Sequence, residues 1–324
     1  MSPKGSIGSF MERNFLHFNA RETLDAARAY AAHIDSGGKM LVAMAGAMST
    51  AQLGISLARM IREGKVHAIS CTAANLEEDV FNLVAHDEYE VLPGYLDLSP
   101  EAERDLRDRG FNRVTDTAIP ETVFRHLERE FMDECARMAE AGERAFPFEV
   151  FKKILLEGRL EEHYRIPPSE SWLLAACEEG IPVYSPGWED STLGNIFAAR
   201  VIDGELPHHN MLKTGTEQMA HLVSWYREND PGASIGFFQI GGGIAGDFAI
   251  CAVPLILQDL QLEHGFWGYF CQISDSTTSY GSYSGAVPNE KITWFKLDVD
   301  TPKYMINSDA SIVAPLVFAY VLGD

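Results

Sequence analysis

Short apolar strands that alternate with loops and helices are the feature that most constrains the fold of this chain. Apolar runs predict buried strands near residues 39–45, 68–72, 181–184, 234–240 and 267–273, and helical patterns follow the first four of them. Repeats of strand, loop and helix typically form parallel βαβ units. We therefore predict an α/β fold with a doubly wound, mostly parallel sheet of the Rossmann-like type.

The alternation of strands and helices weakens in the first half of the chain. Residues 86–121 are charged and interrupted by proline and glycine, and helical spacing resumes over 121–141 and 147–157. No internal repeat, low-complexity tail or clear linker separates this part from the rest. We expect one domain, residues 1–324, with a helical insertion at about residues 86–165.

Charge and cysteine usage exclude several classes of protein. The net charge of −21 argues against a general nucleic-acid binder and favours attraction of cationic ligands. The five cysteines are scattered without a C-x-x-C pair, as expected of free thiols in a reducing compartment. No apolar span is long enough to cross a membrane. We expect a cytoplasmic protein with neither a nucleic-acid nor a membrane partner.

A glycine-rich turn follows the strand predicted at 234–240. Residues 241–246 fit the pattern G-x-G-x-x-G and lead into a helix predicted at 247–260. Backbone amides at such a turn can hold a pyrophosphate. No acidic residue stands about 20 positions further on, where it would bind a ribose. The motif alone is a moderate indication of a nucleotide site.

The stretch Gly281–Leu297, GSYSGAVPNEKITWFKL, carries the other candidate chemistry. We predict a short strand over 292–297, which surrounds Lys296 with large apolar residues. Desolvation disfavours an ammonium, so such a lysine can be a neutral nucleophile that forms an imine. Trp294, on the same face, could bind a cation through its ring. The alternative is an edge strand with a core tryptophan and a solvated lysine.

Other familiar chemistries find little support in the sequence. The histidines show no metal-ligand spacing, and neither a G-x-S-x-G elbow nor a Walker sequence occurs. We expect no metal site. The remaining classes are an enzyme that uses a dinucleotide and an inert α/β binding protein.

Motifs along nearly the whole chain resemble the deoxyhypusine synthase family. The strongest match is S-x-S-G-A-x-P-x-E followed by W-x-K, over residues 282–297. Further matches are TAANLEED at 72–79, IPVYSPGWEDSTLG at 181–194, the triple glycine at 241–243 and DASIVAPL at 309–316.

The resemblance implies an NAD-dependent transfer of an aminobutyl group from spermidine through a lysine imine to an acceptor amine. Lys296 matches the imine-forming lysine, Glu78 matches an acidic residue near the nicotinamide, and Trp294 and Glu290 match residues of the polyamine pocket. Positions that match the family's NAD site are Thr72, Ala73, Asp190, Gly242, Gly243, Asp309 and Ala310. The family also implies a homotetramer with its sites at subunit interfaces.

The chain departs from the family pattern around the amine. Asp247 and Phe248 replace a histidine pair, and Asn195 and Tyr283 replace two aspartates. Tyr280 replaces an acidic residue. Asp247 could restore one lost charge partner for an ammonium. The acceptor implied by the resemblance is a lysine-bearing translation factor. A small diamine, as in homospermidine synthases, and a non-catalytic polyamine- or nucleotide-binding protein remain alternatives.

Overall fold

The computed structural model describes residues 5–279 and 281–324. The strands in these residues are, in chain order, β1 (Lys39–Met44), β2 (Ala68–Cys71), β3 (Glu90–Val91), β4 (Phe111–Val114), β5 (Thr117–Pro120), β6 (Val183–Tyr184), β7 (Ile235–Ile240), β8 (Tyr269–Ser274) and β9 (Lys303–Asn307).

The α-helices of the same residues are α1 (Ser6–Asn14), α2 (Phe18–Asp35), α3 (Gly54–Arg62), α4 (Ala73–Ala85), α5 (Pro100–Asp108), α6 (Phe124–Ala141), α7 (Pro147–Leu156), α8 (Trp172–Glu179), α9 (Thr192–Ile202), α10 (Gly215–Asn229), α11 (Gly243–Ile250), α12 (Ala252–Pro254) and α13 (Ala310–Leu322). None of these helices combines the length and apolar character that a membrane crossing requires.

The main sheet is parallel and has the strand order of dinucleotide-binding folds. Its order is β6-β2-β1-β7-β8-β9, and each neighbouring pair runs in parallel. Counted along the chain, this is the order 3-2-1-4-5-6, in which the topology reverses between β1 and β7. The predicted α/β fold with a doubly wound parallel sheet is confirmed.

Both faces of this sheet are covered, which explains why its strands are continuously apolar. On β1, Met40, Val42 and Met44 belong to a core that includes residues of α2, α3 and α13. The alternate residues Leu41 and Ala43 belong to a second core with residues of α10, α11 and α12. A strand points successive side chains to opposite faces, so one short run supplies both cores.

Residues 86–165 contain the expected helices α6 and α7, and also a small sheet that the sequence analysis did not predict. This sheet is antiparallel, with the order β3-β5-β4. Its strands have two to four residues and are largely half-buried or exposed. Strands so short and polar carry no apolar run from which a prediction could start.

One local prediction was wrong, and two predicted helices have different bounds or geometry in the structure. Residues 292–297 do not form a strand: a 3₁₀ helix, Pro288–Ile292, leads into turns in which Phe295 has a positive φ of 57°. The helix expected at 247–260 is instead α11, α12 and a π-helical turn, Leu255–Asp259. The helix predicted after the first strand begins at Gly54, after a series of turns.

Candidate active site

Lys296 lies in the wall of a cavity of 730 Å³ that also exposes Asp247, Tyr283, Glu290, Lys291 and Trp294. We call this the lysine cavity. Its walls come from α11, from the π-helical turn and from the loop that precedes Lys296. Four of the five predicted substrate-binding residues therefore meet around the predicted nucleophile, and Asn195 does not.

The amine of Lys296 is buried and has a carboxylate partner. Lys296 is 7% exposed, and its Nζ lies 3.1 Å from Oδ1 of Asp247. The rings of Tyr283 and Trp294 have their centroids 5.1 and 5.9 Å from the same nitrogen. The predicted apolar surround is thus incomplete, because a carboxylate lies within hydrogen-bond distance of the amine.

Tyr283 is fixed by a hydrogen bond to the main sheet. Its hydroxyl donates to Oε1 of Gln239, on β7, at 2.8 Å. Burial, and to a smaller extent the charge of Asp247, raise the pKa of Tyr283 well above its ordinary value. The neutral ring is therefore held at a defined position, within about 5 Å of the amines of both Lys296 and Lys291.

Lys291 is a residue of this cavity that the sequence analysis missed. It is 2% exposed, and its Nζ donates to the carbonyl of Ala286 at 3.2 Å. The same nitrogen lies 5.0 Å from the Phe270 ring centroid and 4.8 Å from that of Tyr283. Burial, and then the neighbouring charge of Lys296, lower the pKa of Lys291 to about 8. The sequence did contain a signal for Lys291, because it is a second lysine within the motif that contains Lys296.

The switch point of the sheet forms an open cradle between β1 and β7. Gly46, after β1, and Gly243, after β7, have φ of +64° and +60°, and a Cβ at either position would meet nothing within 4 Å. The carbonyl of Gly46 accepts hydrogen bonds from Oγ1 of Thr72 and Nδ2 of Asn75, each at 2.8 Å. The loop after β1 was not singled out from the sequence, although its glycine precedes a helical pattern.

Gly242 lies too close to Ser284 to carry a side chain. A Cβ on Gly242 would lie 1.8 Å from Oγ of Ser284. That hydroxyl accepts a hydrogen bond from the N–H of Gly243 at 3.2 Å. The S-x-S-G turn therefore packs on the glycine turn that follows β7, and this contact joins two motifs through residues that are 41 positions apart in the sequence.

The predicted cofactor residues follow strands of the main sheet. Thr72 and Ala73 come after β2, Gly242 and Gly243 after β7, and Asp309 and Ala310 after β9, while Asp190 lies in the loop after β6. Since these strands are parallel, their carboxyl ends share one edge, where ligands bind in such sheets. Asp309 also caps α13, because its Oδ1 accepts from the N–H of Ser311 at 2.8 Å.

The acidic triplet Glu77, Glu78 and Asp79 lies in the second turn of α4, because the helix begins at Ala73. Glu77 accepts from the N–H groups of Thr192 and Leu193, at the start of α9, each at 2.9 Å. Asp79 accepts from the N–H of Leu173, at the start of α8, at 3.1 Å. These two carboxylates join helices.

Glu78 has fewer partners than its neighbours. It is 8% exposed, and its Oε2 accepts from the N–H of Thr50, in the loop after β1, at 3.3 Å. Burial raises the pKa of Glu78 to about 7. A carboxyl group with such a pKa can hold or release a proton near neutral pH.

Glu78 faces a different cavity from Lys296 within this chain. It lines a space of 680 Å³ together with residues of the small sheet, α6 and α9. Asn195 is exposed on α9, where its Nδ2 donates to the carbonyl of Ser191 at 2.7 Å. The family departure noted at Tyr280 lies outside the described residues. Over residues 5–279 and 281–324, no three His, Cys, Asp or Glu side chains converge so as to hold a metal ion.

Comparison with known proteins points to one family. The family model for deoxyhypusine synthase matches residues 10–321. A "deoxyhypusine synthase-like protein" from a Cyanothece species is 29% identical over 98% of this chain and 80% of its own length. A "probable deoxyhypusine synthase 1" from Archaeoglobus fulgidus is 25% identical over 94% of this chain and 90% of its own length.

Solved structures with the same fold include two at low sequence identity. A crystal structure assigned as deoxyhypusine synthase, from Entamoeba histolytica, superposes with a TM-score of 0.57 at 12% identity, over 97% of this chain and 90% of the other. The complex of AgrE with ornithine and NAD+ gives a TM-score of 0.51 at 11% identity, over 94% of this chain and 34% of that one. At these identities the likeness shows the fold alone.

Proposed function

Since the chain belongs to the deoxyhypusine synthase family, we propose that it is an NAD-dependent transferase that moves an aminobutyl group from spermidine, or a related polyamine, to an acceptor amine. The family implies a transferase. The transferred group would be carried as an imine on Lys296. The observation that carries this proposal is the buried amine of Lys296 in a cavity that also offers carboxylates and aromatic faces.

The composition of the lysine cavity suits a flexible polycation. Asp247, Asp259 and Glu290 supply carboxylates at its walls, and Trp294, which is 64% exposed, offers a ring face. Ammonium groups bind to carboxylates through charge-assisted hydrogen bonds and to ring faces through cation–π contact. Pro254 and Leu255 line the same space and suit the methylene segments between the amines.

The switch-point cradle supports NAD as the cofactor. The open space above Gly46 and Gly243 and the N-terminus of α11 fit a pyrophosphate, and Thr72, Ala73, Asp190, Asp309 and Ala310 would surround the rest of the dinucleotide. When bound, NAD would supply a hydride acceptor for the donor amine and later return the hydride to the product. The NAD+ complex of AgrE shares this fold.

The protein's own groups would act on protons and on the imine. Lys296 would attack the oxidised donor, and Asp247 would hold the amine in place until it loses its proton. The near-neutral pKa of Glu78 suits a group that exchanges a proton with the donor amine. Glu78 and Lys296 face different cavities of one chain, so we propose that they meet across subunits of a homotetramer, as the family implies.

The acceptor is proposed to be a protein lysine on a translation factor, with a small diamine as the alternative. A lysine side chain and a diamine present the same primary amine to the imine on Lys296. Product analysis with putrescine and with a lysine-bearing translation factor, each offered separately, distinguishes the two acceptors.

The test is release of 1,3-diaminopropane from spermidine in the presence of NAD. We expect release by the wild-type chain and none by Lys296→Ala, while Lys152→Ala, a lysine of α7 outside the lysine cavity, keeps the wild-type rate. If another polyamine is consumed instead, the assignment of spermidine as the donor is wrong. If every polyamine binds and none is consumed by the wild type, the chain is a binding protein and the transferase proposal fails.

A further inference from the structure

Two amines share the lysine cavity, but their surroundings differ. The Nζ of Lys296 is paired with the carboxylate of Asp247 at 3.1 Å. Lys291 is more deeply buried and donates to a neutral carbonyl, that of Ala286. A buried amine without a carboxylate partner is the one that loses its charge more readily.

We propose that Lys291 is the proton acceptor of the lysine cavity: it takes the proton that Lys296 must lose before attacking, and it returns a proton to the amine that leaves. This inference rests on the proposed function, in which Lys296 is the imine-forming residue. It assigns to Lys291 a part in the reaction that the departures around Asp247 make necessary.

The ion pair between Lys296 and Asp247 is the reason why the reaction requires a separate proton acceptor. Lys296 begins as an ammonium held by Asp247, and an ammonium has no lone pair with which to attack carbon. Asp247 is a poor destination for the proton, because a carboxylate is too weak a base to hold the proton of an ammonium at neutral pH. A neutral amine is a base of matching strength.

The geometry allows the transfer. The Nζ atoms of Lys291 and Lys296 lie 4.8 and 5.1 Å from the centroid of the same Tyr283 ring, and both residues line the one cavity. Both amines thus face one open space, in which a side-chain movement or bridging water connects them for proton transfer. A neutral amine keeps two N–H bonds, so Lys291 retains its hydrogen bond to Ala286 in either charge state.

The atoms balance without a further reagent. Lys291 accepts a proton from the Lys296 ammonium, and the lone pair thus freed on Lys296 forms a bond to the imine carbon of the oxidised donor while the π electron pair moves to the departing nitrogen. Lys291 gives this proton to the departing nitrogen, takes a second proton from the Lys296 nitrogen and passes that one to the departing nitrogen as well, so that it is neutral again. The lone pair left on Lys296 forms the new C=N bond as the bond to the departing nitrogen breaks, and the free amine keeps the electron pair of the broken bond.

Several titratable groups face the same cavity and bear on its pH dependence. Burial, the charge of Lys296, and the opposing charges of Glu290 and Asp247 set the pKa of Lys291 at about 8. The other titratable groups at the cavity wall are Cys251, Asp259 and Tyr283.

The first arm of the test titrates Lys291 in the wild-type chain, without turnover. Each lysine is labelled competitively with acetic anhydride over pH 6–11, and its extent of labelling is measured by peptide mass mapping. The plot of labelling against pH gives the fraction of that amine which is neutral. We expect half-maximal labelling of Lys291 near pH 8, with Lys152 as the reference lysine. A midpoint of about 10 or above, as for an ordinary lysine, overturns the proposal.

The second arm compares Lys291→Met with Lys291→Arg in spermidine cleavage. Arginine keeps the charge but cannot serve as a base. We expect both variants to lose about 100-fold or more in kcat, the range of general acid–base catalysis, while KM stays within about threefold of the wild-type value. We also expect both variants to lose the rising limb of the pH–rate profile, which is the increase in the rate of spermidine cleavage near pH 8. An Arg variant within about threefold of the wild-type kcat, or an unchanged limb in either variant, contradicts the proposal.

The two arms separate this inference from the proposed function. If the wild type releases no diamine from any polyamine, the proposed transferase fails, and the labelling curve alone decides whether Lys291 is a neutral acceptor. Because that arm needs no variant, it stands even where Lys291→Met does not fold.

Discussion

Replacement of Glu78 by glutamine is expected to stabilise the folded chain, and more strongly as the pH rises. Burial raises the pKa of Glu78 from 4.5 to about 7. The unfolded chain therefore releases this proton near pH 4.5, and the folded chain releases it near pH 7. Between these values the folded state holds the extra proton, so its stability falls as the pH rises through the window. Glutamine has no charge to bury.

The magnitude follows from the size of the pKa difference. At 1.36 kcal/mol for each pKa unit, the interval from 4.5 to about 7 corresponds to roughly 3 kcal/mol. The free energy of unfolding of Glu78→Gln should exceed that of the wild type by about 1 kcal/mol at pH 5 and by about 3 kcal/mol at pH 8.5. The amide oxygen of glutamine can still accept the Thr50 N–H.

The assay is denaturant unfolding of both chains at a series of pH values from 5 to 8.5. Glu140→Gln, at an exposed position of α6, is the matched control and should follow the wild type throughout. A difference for Glu78→Gln that does not change with pH, or a loss of stability at pH 8.5, would refute the claim that Glu78 is held in a desolvated site.

Three further substitutions test the loop around Lys296. Phe295→Gly should raise stability by about 1 kcal/mol in thermal or chemical unfolding, since it relieves a positive φ of 57°, whereas Phe295→Ala should not. Gly242→Ala should cost about 1–3 kcal/mol because its Cβ meets the hydroxyl of Ser284, and adding Ser284→Gly should restore part of the loss. Asp247→Asn should cost about 1 kcal/mol at pH 7, less than a fully buried pair, because Asp247 is half exposed while Lys296 is buried; an unchanged unfolding midpoint would show that the pair contributes nothing.

The alternation of strands and loops was sufficient to predict five of the six strands of the main sheet and the edge that carries the candidate cofactor residues, while β9 was not predicted. Buried runs such as Ile235–Ile240 are apolar on both faces because both faces are covered, and parallel strands place their following loops together. The same logic predicted the turn at Gly242. It did not predict the cradle's other side at Gly46, whose loop has no recognised nucleotide motif.

The structure around Lys296 could not be predicted from the local sequence pattern. Residues 292–297 are rich in β-formers, but the chain turns there with Phe295 in a conformation that side chains rarely adopt. The contact of Lys296 with Asp247 joins residues 49 positions apart, a distance at which spacing carries no information. Lys291 was overlooked because sequence gives burial poorly for a residue type that is usually exposed.

Reductive trapping tests the central claim most directly. The chain is incubated with NAD and spermidine, treated with borohydride and digested, and the modified lysine is located by peptide mass mapping. The account predicts a single aminobutyl adduct on Lys296, reduced in yield in Lys291→Met and absent in Lys296→Ala. An adduct on Lys291 or on another lysine, or no adduct with any polyamine that the chain consumes, would contradict it.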